Sequence, residues 1–252
     1  MALAVKNPHP RDDSLMFDEA QHRYVVGENN EYVSVTSKVK SCFREFDPDS
    51  VISSMRIDGE WKPGSKYAGL SPSEVKALWK NKGEEAARLG TEMHEAIEYY
   101  FNGEENRLNE LEGSVRQQFR KFADCLPVGL VPYRTEWRVW DETSKTAGTI
   151  DMVFIGLDGR LHIYDWKRTE RLKYDGYDGA CALPTGLQHI PDASFWHYSL
   201  QLNVYKLILE RCYGLEVSSM RLVCFHPNRN IHEVKSVPLL KEEASVVMRN
   251  VV

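Results

Sequence analysis

Apolar and polar positions alternate along LMFDEAQHRYVV and again along EYVSVT, on either side of Gly27-Glu28-Asn29-Asn30. A period of two around a glycine and asparagine turn predicts a β-hairpin. Residues 1–13 lack that period and are expected to be a loose tail, and a helix is expected after the hairpin with Ser34 or Thr36 near its cap. Between Asp47 and Leu70 the pattern breaks at Pro48, Gly59, Pro63, Gly64 and Gly69, so 47–70 reads as an irregular segment able to act as a mobile lid or arm. Ser71-Pro72-Ser73-Glu74 has the form of a helix start with proline in the first turn.

Within EEAARLGTEMHEAIEYYF, apolar Ala86, Leu89, Met93, Ile97 and Phe101 recur three and four apart, which predicts a helix with one inward face. Gly103 ends it, and a second helix is expected from Leu108 to Cys125. After Pro127 the pattern shifts to strands: VPYRTEWRVWD, KTAGTIDMVFIG and, beyond the turn at Asp158-Gly159, RLHIYDWKR, which together predict an antiparallel meander. Residues 169–194, with three glycines and two prolines, read as a long loop that is either functional or mobile. WHYSLQLNVYKLILERCYG predicts a helix with Leu200, Val204, Leu207 and Ile208 inward and Gly214 at its end. Two more strands and a closing helix complete an α/β chain with a mixed central β-sheet flanked by helices, expected to be one domain over 1–252.

Composition changes this picture little. A chain that is 42% hydrophobic and 27% charged is expected to be globular, and with no apolar run near the ~20 residues of a membrane span it is expected to be soluble and intracellular, with no membrane partner. The net charge of −5 is no nucleic-acid signature, yet a protein that holds cations with carboxylates carries negative charge by necessity. Five dispersed cysteines without a C-x-x-C pair signal neither a disulfide framework nor a zinc knuckle, and are expected to be buried free thiols.

The candidate chemistry lies on the meander. Asp165 and Lys167, two apart, share a strand face, and a hairpin turned at Asp158-Gly159 sets Asp151 near Asp165. Two carboxylates at one spot repel unless a cation sits between them, and hard oxygen ligands suit Mg²⁺ or Mn²⁺. A lysine beside them suits metal-assisted phosphodiester hydrolysis, where it stabilises developing charge or orients water. Glu136, with Arg134 and Arg138 on the same strand, is a further candidate for this cleft, and His94 a candidate imidazole ligand; the plainer alternatives are a charged surface face and an ordinary boundary histidine.

Gly90-Thr91-Glu92-Met93-His94, Gly148-Thr149-Ile150-Asp151, Asp165-Trp166-Lys167 and Gln201-Leu202-Asn203-Val204-Tyr205, in that order, resemble the RecB-like branch of the PD-(D/E)XK nucleases. FDEAQHRY with SVTSKV and the run IPDASFWHYSLQLNVYKLILE are similar to single-domain nucleases of phages and large DNA viruses. The resemblance implies a restriction-endonuclease-like core with one or two Mg²⁺ or Mn²⁺ ions held by His94, Asp151, Asp165 and the Trp166 carbonyl. It implies a catalytic Lys167, with Gln201 and Tyr205 bracing the site. Ile150 replaces the family's proline, and Asp165 stands where many members have glutamate. No iron-sulfur cluster is expected without clustered cysteines, and any helicase or recombinase partner in repair or recombination would be a separate chain, since no Walker A motif occurs. Arg168, Arg171 and Lys173, with Thr91 and Arg138, are the expected DNA contacts. Trp137, Trp140, Tyr164, Trp166, Tyr174, Tyr177 and Trp196 are candidates for base stacking, most of them equally explained as core or rim residues. An exonuclease or flap-processing enzyme acting on DNA ends or single strands is the leading expectation. An endonuclease on DNA or RNA and a catalytically silent DNA-binding protein are the alternatives.

Overall fold

A computed structural model describes residues 2–21 and 23–250. In chain order the elements are α1 (Leu3–Lys6), β1 (Leu15–Asp18), β2 (Arg23–Val26), β3 (Asn29–Ser34), α2 (Val35–Ser41), α3 (Pro48–Ser54), β4 (Arg56–Ile57), β5 (Glu60–Trp61), α4 (Pro72–Phe101), α5 (Gly113–Asp124), β6 (Val131–Asp141), β7 (Thr146–Ile155), β8 (Leu161–Arg168), α6 (Ser194–Cys212), β9 (Val217–Phe225), β10 (His232–Ser236) and α7 (Lys241–Arg249). They divide into two compact units, one of Met1–Arg44 with Met93–Val252 and a smaller one of Glu45–Glu92. No helix among the described residues is long and apolar enough to cross a membrane.

The larger unit is a mixed α/β layer around an eight-stranded sheet in the order β1-β2-β3-β7-β8-β9-β10, with β6 also paired to β7. β6 runs antiparallel along β7 from Val131↔Ile155 to Asp141↔Thr146. The other edge of β7 is shared: β3 pairs parallel at Val33↔Thr146 and Ser34↔Ala147, and β8 pairs antiparallel from Met152↔Tyr164 to Ile155↔Leu161. Among the described residues no ladder pairing covers Gly148–Asp151 on that edge, so the sheet splays open at the motif that carries Asp151.

Each face of the sheet has its own core. Val35, Val39, Leu200, Val204, Ile208 and Val247 from α2, α6 and α7 pack with Ile150, Ile163 and Leu222 on one side. On the other, Met93 and Ile97 of α4 and Phe119 and Phe122 of α5 pack with Met152, Tyr164, Trp166 and Phe225. Burying side chains of this size contributes about 1.5–3 kcal/mol each, so the two clusters clamp β7 and β8 and with them the residues that lie between.

The expected helix cap is present: Ser34 Oγ accepts the Ser37 N–H at 2.9 Å. Other expectations need correction. Residues 2–13 are not loose, because Arg134 donates to the Asn7 carbonyl at 2.8 Å and to Asp12 at 2.7 Å, and Trp137 Nε1 donates to Asp12 at 2.9 Å. Stretch 47–70 contains α3 and the β4-β5 ribbon, with the Asp47 side chain capping α3 through the Asp49 N–H. Loop 169–194 buries Ala182, Leu187, Ile190 and Ala193 and is tied by Ala182 N–H to Ile190 and Leu183 N–H to Cys42, at 2.9 and 2.8 Å. Gly176 serves close packing, since a Cβ there would lie 1.9 Å from the Ala180 carbonyl oxygen. The helix starts read at Ser71 and Glu84 belong to the single α4, and the helix expected over 108–125 is a 3-10 turn at Glu105–Glu110 followed by α5. Of the cysteines, Cys125 is exposed.

Candidate active site

The hairpin register is the one the spacing predicts. Pairing ends at Met152↔Tyr164, which sets Asp151 opposite Asp165, and Asp151 Oδ2 accepts the Trp166 N–H at 2.8 Å just beyond the last paired residues. Asp165, 1% exposed, lies with its Oδ2 2.6 Å from Lys167 Nζ, the two side chains sharing one face of β8. Asp165 Oδ2 is buried without a well-aligned hydrogen bond, a state that an ammonium or a bound cation relieves. Lys167 Nζ also sits 4.6 Å from the centre of the Tyr198 ring on α6, a cation–π contact that holds the long side chain in place.

His94 reaches the same point from α4. Its Nε2 lies 2.9 Å from the Trp166 carbonyl, and because a carbonyl accepts, Nε2 donates and Nδ1 faces the acids, 3.5 Å from Asp151 Oδ2 and 3.8 Å from Glu136 Oε1. His94, Glu136 and Asp151 offer ligand atoms that all lie within 4.8 Å of one another, a donor set able to hold a metal ion. Two carboxylates and an imidazole suit a divalent cation that accepts oxygen and nitrogen ligands. The grouping differs from the set implied by the resemblance: Glu136 stands with His94 and Asp151, while Asp165 turns to Lys167. Glu136 does so at a cost. Its φ of +41° is left-handed inside β6, a conformation worth about 1–3 kcal/mol of strain for a residue with a Cβ, and such strain concentrates at functional sites.

The electrostatics are those of crowded acids. Burial pushes the Asp165 carboxyl up to about 6, with the Asp151 charge adding to it and Lys167 opposing it. Burial likewise raises Asp151, against the pull of His94 and Lys167. For His94 burial disfavours the charged ring, but Asp151 and Glu136 outweigh it and raise the imidazole to about 9. Lys167 is held protonated in the same way, burial being outweighed by Asp165 and Asp151. His94 and Lys167 supply the positive charge that opposes the effect of burial at Asp151 and Asp165.

The remaining motif residues act as supports. Gly148 has no room for a side chain: a Cβ would come within 2.7 Å of the Tyr205 ring, 2.9 Å of its hydroxyl and 3.0 Å of Val35. Tyr205 is buried, stays protonated because burial raises its phenol, and receives a long 3.4 Å hydrogen bond from Gln201 Nε2. Thus the glycine of one motif and the tyrosine of another are one packing contact that fixes β7 just ahead of Asp151. Gly148→Ala is expected to destabilise the protein by about 2 kcal/mol through overpacking. The cost is expected to shrink in a Tyr205→Ala background, as a urea-denaturation double-mutant cycle would read; strict additivity would show that the two do not press on each other.

The expected DNA contacts separate. Arg168 is taken up by a bidentate pair with Glu112 at 2.8–3.0 Å, and Arg134 is buried against Asp12, so neither is free to meet a phosphate. Arg138, Arg171 and Lys173 are exposed. Thr91, also exposed, returns its hydroxyl to the Ala87 carbonyl at 3.1 Å. Trp137, Trp140, Tyr164 and Trp166 are core residues, whereas Tyr174 and Tyr177 are exposed and Trp196 is half-buried. Two residues near the centre had no signal in the sequence. Tyr198 contacts Lys167 across 31 positions of chain, and Tyr24 on β2 shares a 2.9 Å hydrogen bond with the Thr149 hydroxyl, two residues from Asp151.

Fold and site together define an α/β protein with a carboxylate, imidazole and lysine centre able to hold a metal ion. Among solved structures, the chain is similar to a candidate exonuclease from Eubacterium rectale, with 14% identity over 87% of this chain and 77% of that one and a TM-score of 0.42. It is also similar to SSO0001, with 16% identity over 87% and 73% of the two chains and a TM-score of 0.31. No family model matches the chain, and no curated protein matches it significantly. Functional inference therefore rests on the site.

Proposed function

We propose that this chain is a metal-dependent nuclease of the PD-(D/E)XK kind that hydrolyses DNA phosphodiesters. The observation that carries the reading is the convergence of His94, Glu136 and Asp151 ligand atoms within 4.8 Å, beside the buried Asp165–Lys167 pair. Bound Mg²⁺ or Mn²⁺ would polarise the phosphate and lower the pKa of a coordinated water. The chain's own residues supply the rest. His94, Glu136 and Asp151 would hold the ion, while the Trp166 carbonyl is taken by His94 Nε2–H and Asp165 by Lys167. Lys167, kept protonated and steadied by Tyr198, presents a fixed positive charge to the phosphorane that forms when water attacks. Exposed Arg138, Arg171 and Lys173 are suited to contact the DNA backbone.

Within this reading the substrate preference is for ends or single strands, as in the RecB-like enzymes that the four motifs resemble. Linear single-stranded DNA is expected to be degraded at least tenfold faster than a covalently closed circle of the same sequence, at equal enzyme and Mg²⁺ or Mn²⁺. Gel analysis of both substrates checks it. A circle cut as fast as the linear strand would replace the exonuclease reading with an endonuclease of the same site, and no cleavage of DNA or RNA with either ion would remove the nuclease reading.

A further inference from the structure

The smaller unit, Glu45–Glu92, has a feature that the proposed active site does not use. Four rings touch in succession: Phe46 against Trp79 with centroids 6.0 Å apart, Trp79 against Tyr67 at 5.9 Å, and Tyr67 against Trp61 at 5.7 Å. Trp79 Nε1 donates to the Tyr67 hydroxyl at 2.8 Å and Trp61 Nε1 to the Leu70 carbonyl at 2.6 Å. Both indole N–H groups are therefore satisfied, and the rings are fixed in place. They are nonetheless open to solvent, with Phe46 66% exposed and the other three half-buried.

Charge gathers at the same place. Between Trp61 and Lys82 five lysines stand against one glutamate; Lys76 pairs with Asp49 at 2.8 Å and Lys80 with Glu84 at 3.8 Å, and Lys62, Lys66 and Lys82 lie outside those pairs. Lys66 Nζ lies 5.0 Å from the centre of the Tyr67 ring. The Trp79 N–H, against a small opposing effect of desolvation, holds the Tyr67 hydroxyl below its ordinary pKa, and Lys66 and Lys82 add to it. An apolar protein partner would cover the rings but leave these lysines opposite nothing. A polymer that carries flat apolar faces and a regular negative charge satisfies both.

We propose that this face is a stacking platform for single-stranded DNA. Bases stack on exposed aromatic rings without regard to sequence while lysines follow the backbone phosphates, and a duplex, whose base faces are already stacked on each other, cannot use the rings. The identity of the polymer rests on the nuclease reading; the platform adds a second contact, in a different unit from the metal site. Its role is to hold substrate strand that is not being cut.

The test is fluorescence anisotropy of labelled oligo-dT with the full chain in EDTA, where cleavage is stopped. Phe46→Ala/Lys66→Ala/Lys82→Ala changes exposed side chains and is expected to weaken oligo-dT binding tenfold or more. Its salt dependence should become shallower by about 1.4 in log–log slope, two phosphate contacts at about 0.7 each. A duplex of equal length should lose less than threefold. Arg160→Ala/Lys235→Ala, which removes the same charge elsewhere, should stay within twofold of the parent protein. Unchanged oligo-dT binding in the triple variant, an equal loss on duplex, or an equal loss in the control variant would each overturn the platform. Hydrolysis of bis(p-nitrophenyl) phosphate by the parent protein with Mn²⁺ reads the metal site by itself. Failure of the nuclease reading thus shows as absent hydrolysis, and failure of the platform as unchanged binding.

Discussion

Asp151→Asn and Asp165→Asn proteins are expected to lose DNA cleavage by roughly three orders of magnitude or more, equivalent to about 4 kcal/mol of transition-state stabilisation, while remaining folded. Each change keeps the shape of the side chain and removes its charge. At Asp151 the loss falls on a ligand atom grouped with those of His94 and Glu136, and an amide oxygen is a weaker partner for a cation than a carboxylate. At Asp165 it falls on the partner of Lys167, whose ammonium lies 2.6 Å away in a buried setting. Removing one member of a buried pair costs about 3–5 kcal/mol, so thermal melts must accompany the rates for Asp165→Asn, and Asp151→Asn serves where that variant is too unstable. Lys167→Ala is expected to fall as far in rate, because the fixed charge held beside Asp165 is lost. A folded Asp165→Asn protein with full cleavage would remove the proposed site.

The second large effect is on metal affinity and its pH dependence. His94→Ala is expected to weaken Mn²⁺ binding by about 100-fold, the loss of one ligand of a small donor set, and to change oligonucleotide binding in EDTA much less. The direction with pH follows from the ring's raised pKa. Without metal the imidazole is held charged up to about 9 by Asp151 and Glu136, and a ligating nitrogen must give up that proton. Between pH 7 and 8 the parent protein therefore releases close to one proton for each ion bound, falling to about half a proton at pH 9, and its affinity rises by up to about tenfold per pH unit. In His94→Ala both the slope and the proton release should vanish over that range. Calorimetry with Mn²⁺ in buffers of different ionisation enthalpy measures the proton count, and equal counts in the two proteins would show that His94 is not a ligand.

Much of this molecule was legible in its sequence, and the reason is local. Period-two and period-3.6 patterns located the strands around the site and the helix α6, because each element buries one face against the sheet and that face repeats at the spacing of the backbone. The Asp158-Gly159 turn between strands of definite period set the register, and register alone placed Asp151 opposite Asp165 and put Asp165 and Lys167 on one face. Gly148 and Tyr205 could be named as motif members but not as partners, since the clash that forbids a side chain at Gly148 depends on where α6 crosses β7.

What the tertiary structure decided lies in contacts between segments far apart in the chain. The loose tail was misread because composition reports the absence of a repeat and is silent on hydrogen bonds made elsewhere, such as those that tie Asp12 to Arg134 and Trp137. The reach of each charge is another such matter. Arg168 looked like a phosphate contact and is held by Glu112, whereas Tyr198 had no visible role and steadies Lys167. Glu136 is the sharpest case: the β6–β7 register sets it opposite Asp151, between Thr135↔Met152 and Trp137↔Ile150, and its left-handed φ of +41° is a backbone departure that no alternation pattern announces. Patterns along the sequence specify elements and register because those depend on neighbours; which charges meet depends on how the elements pack, and that is set by the whole core.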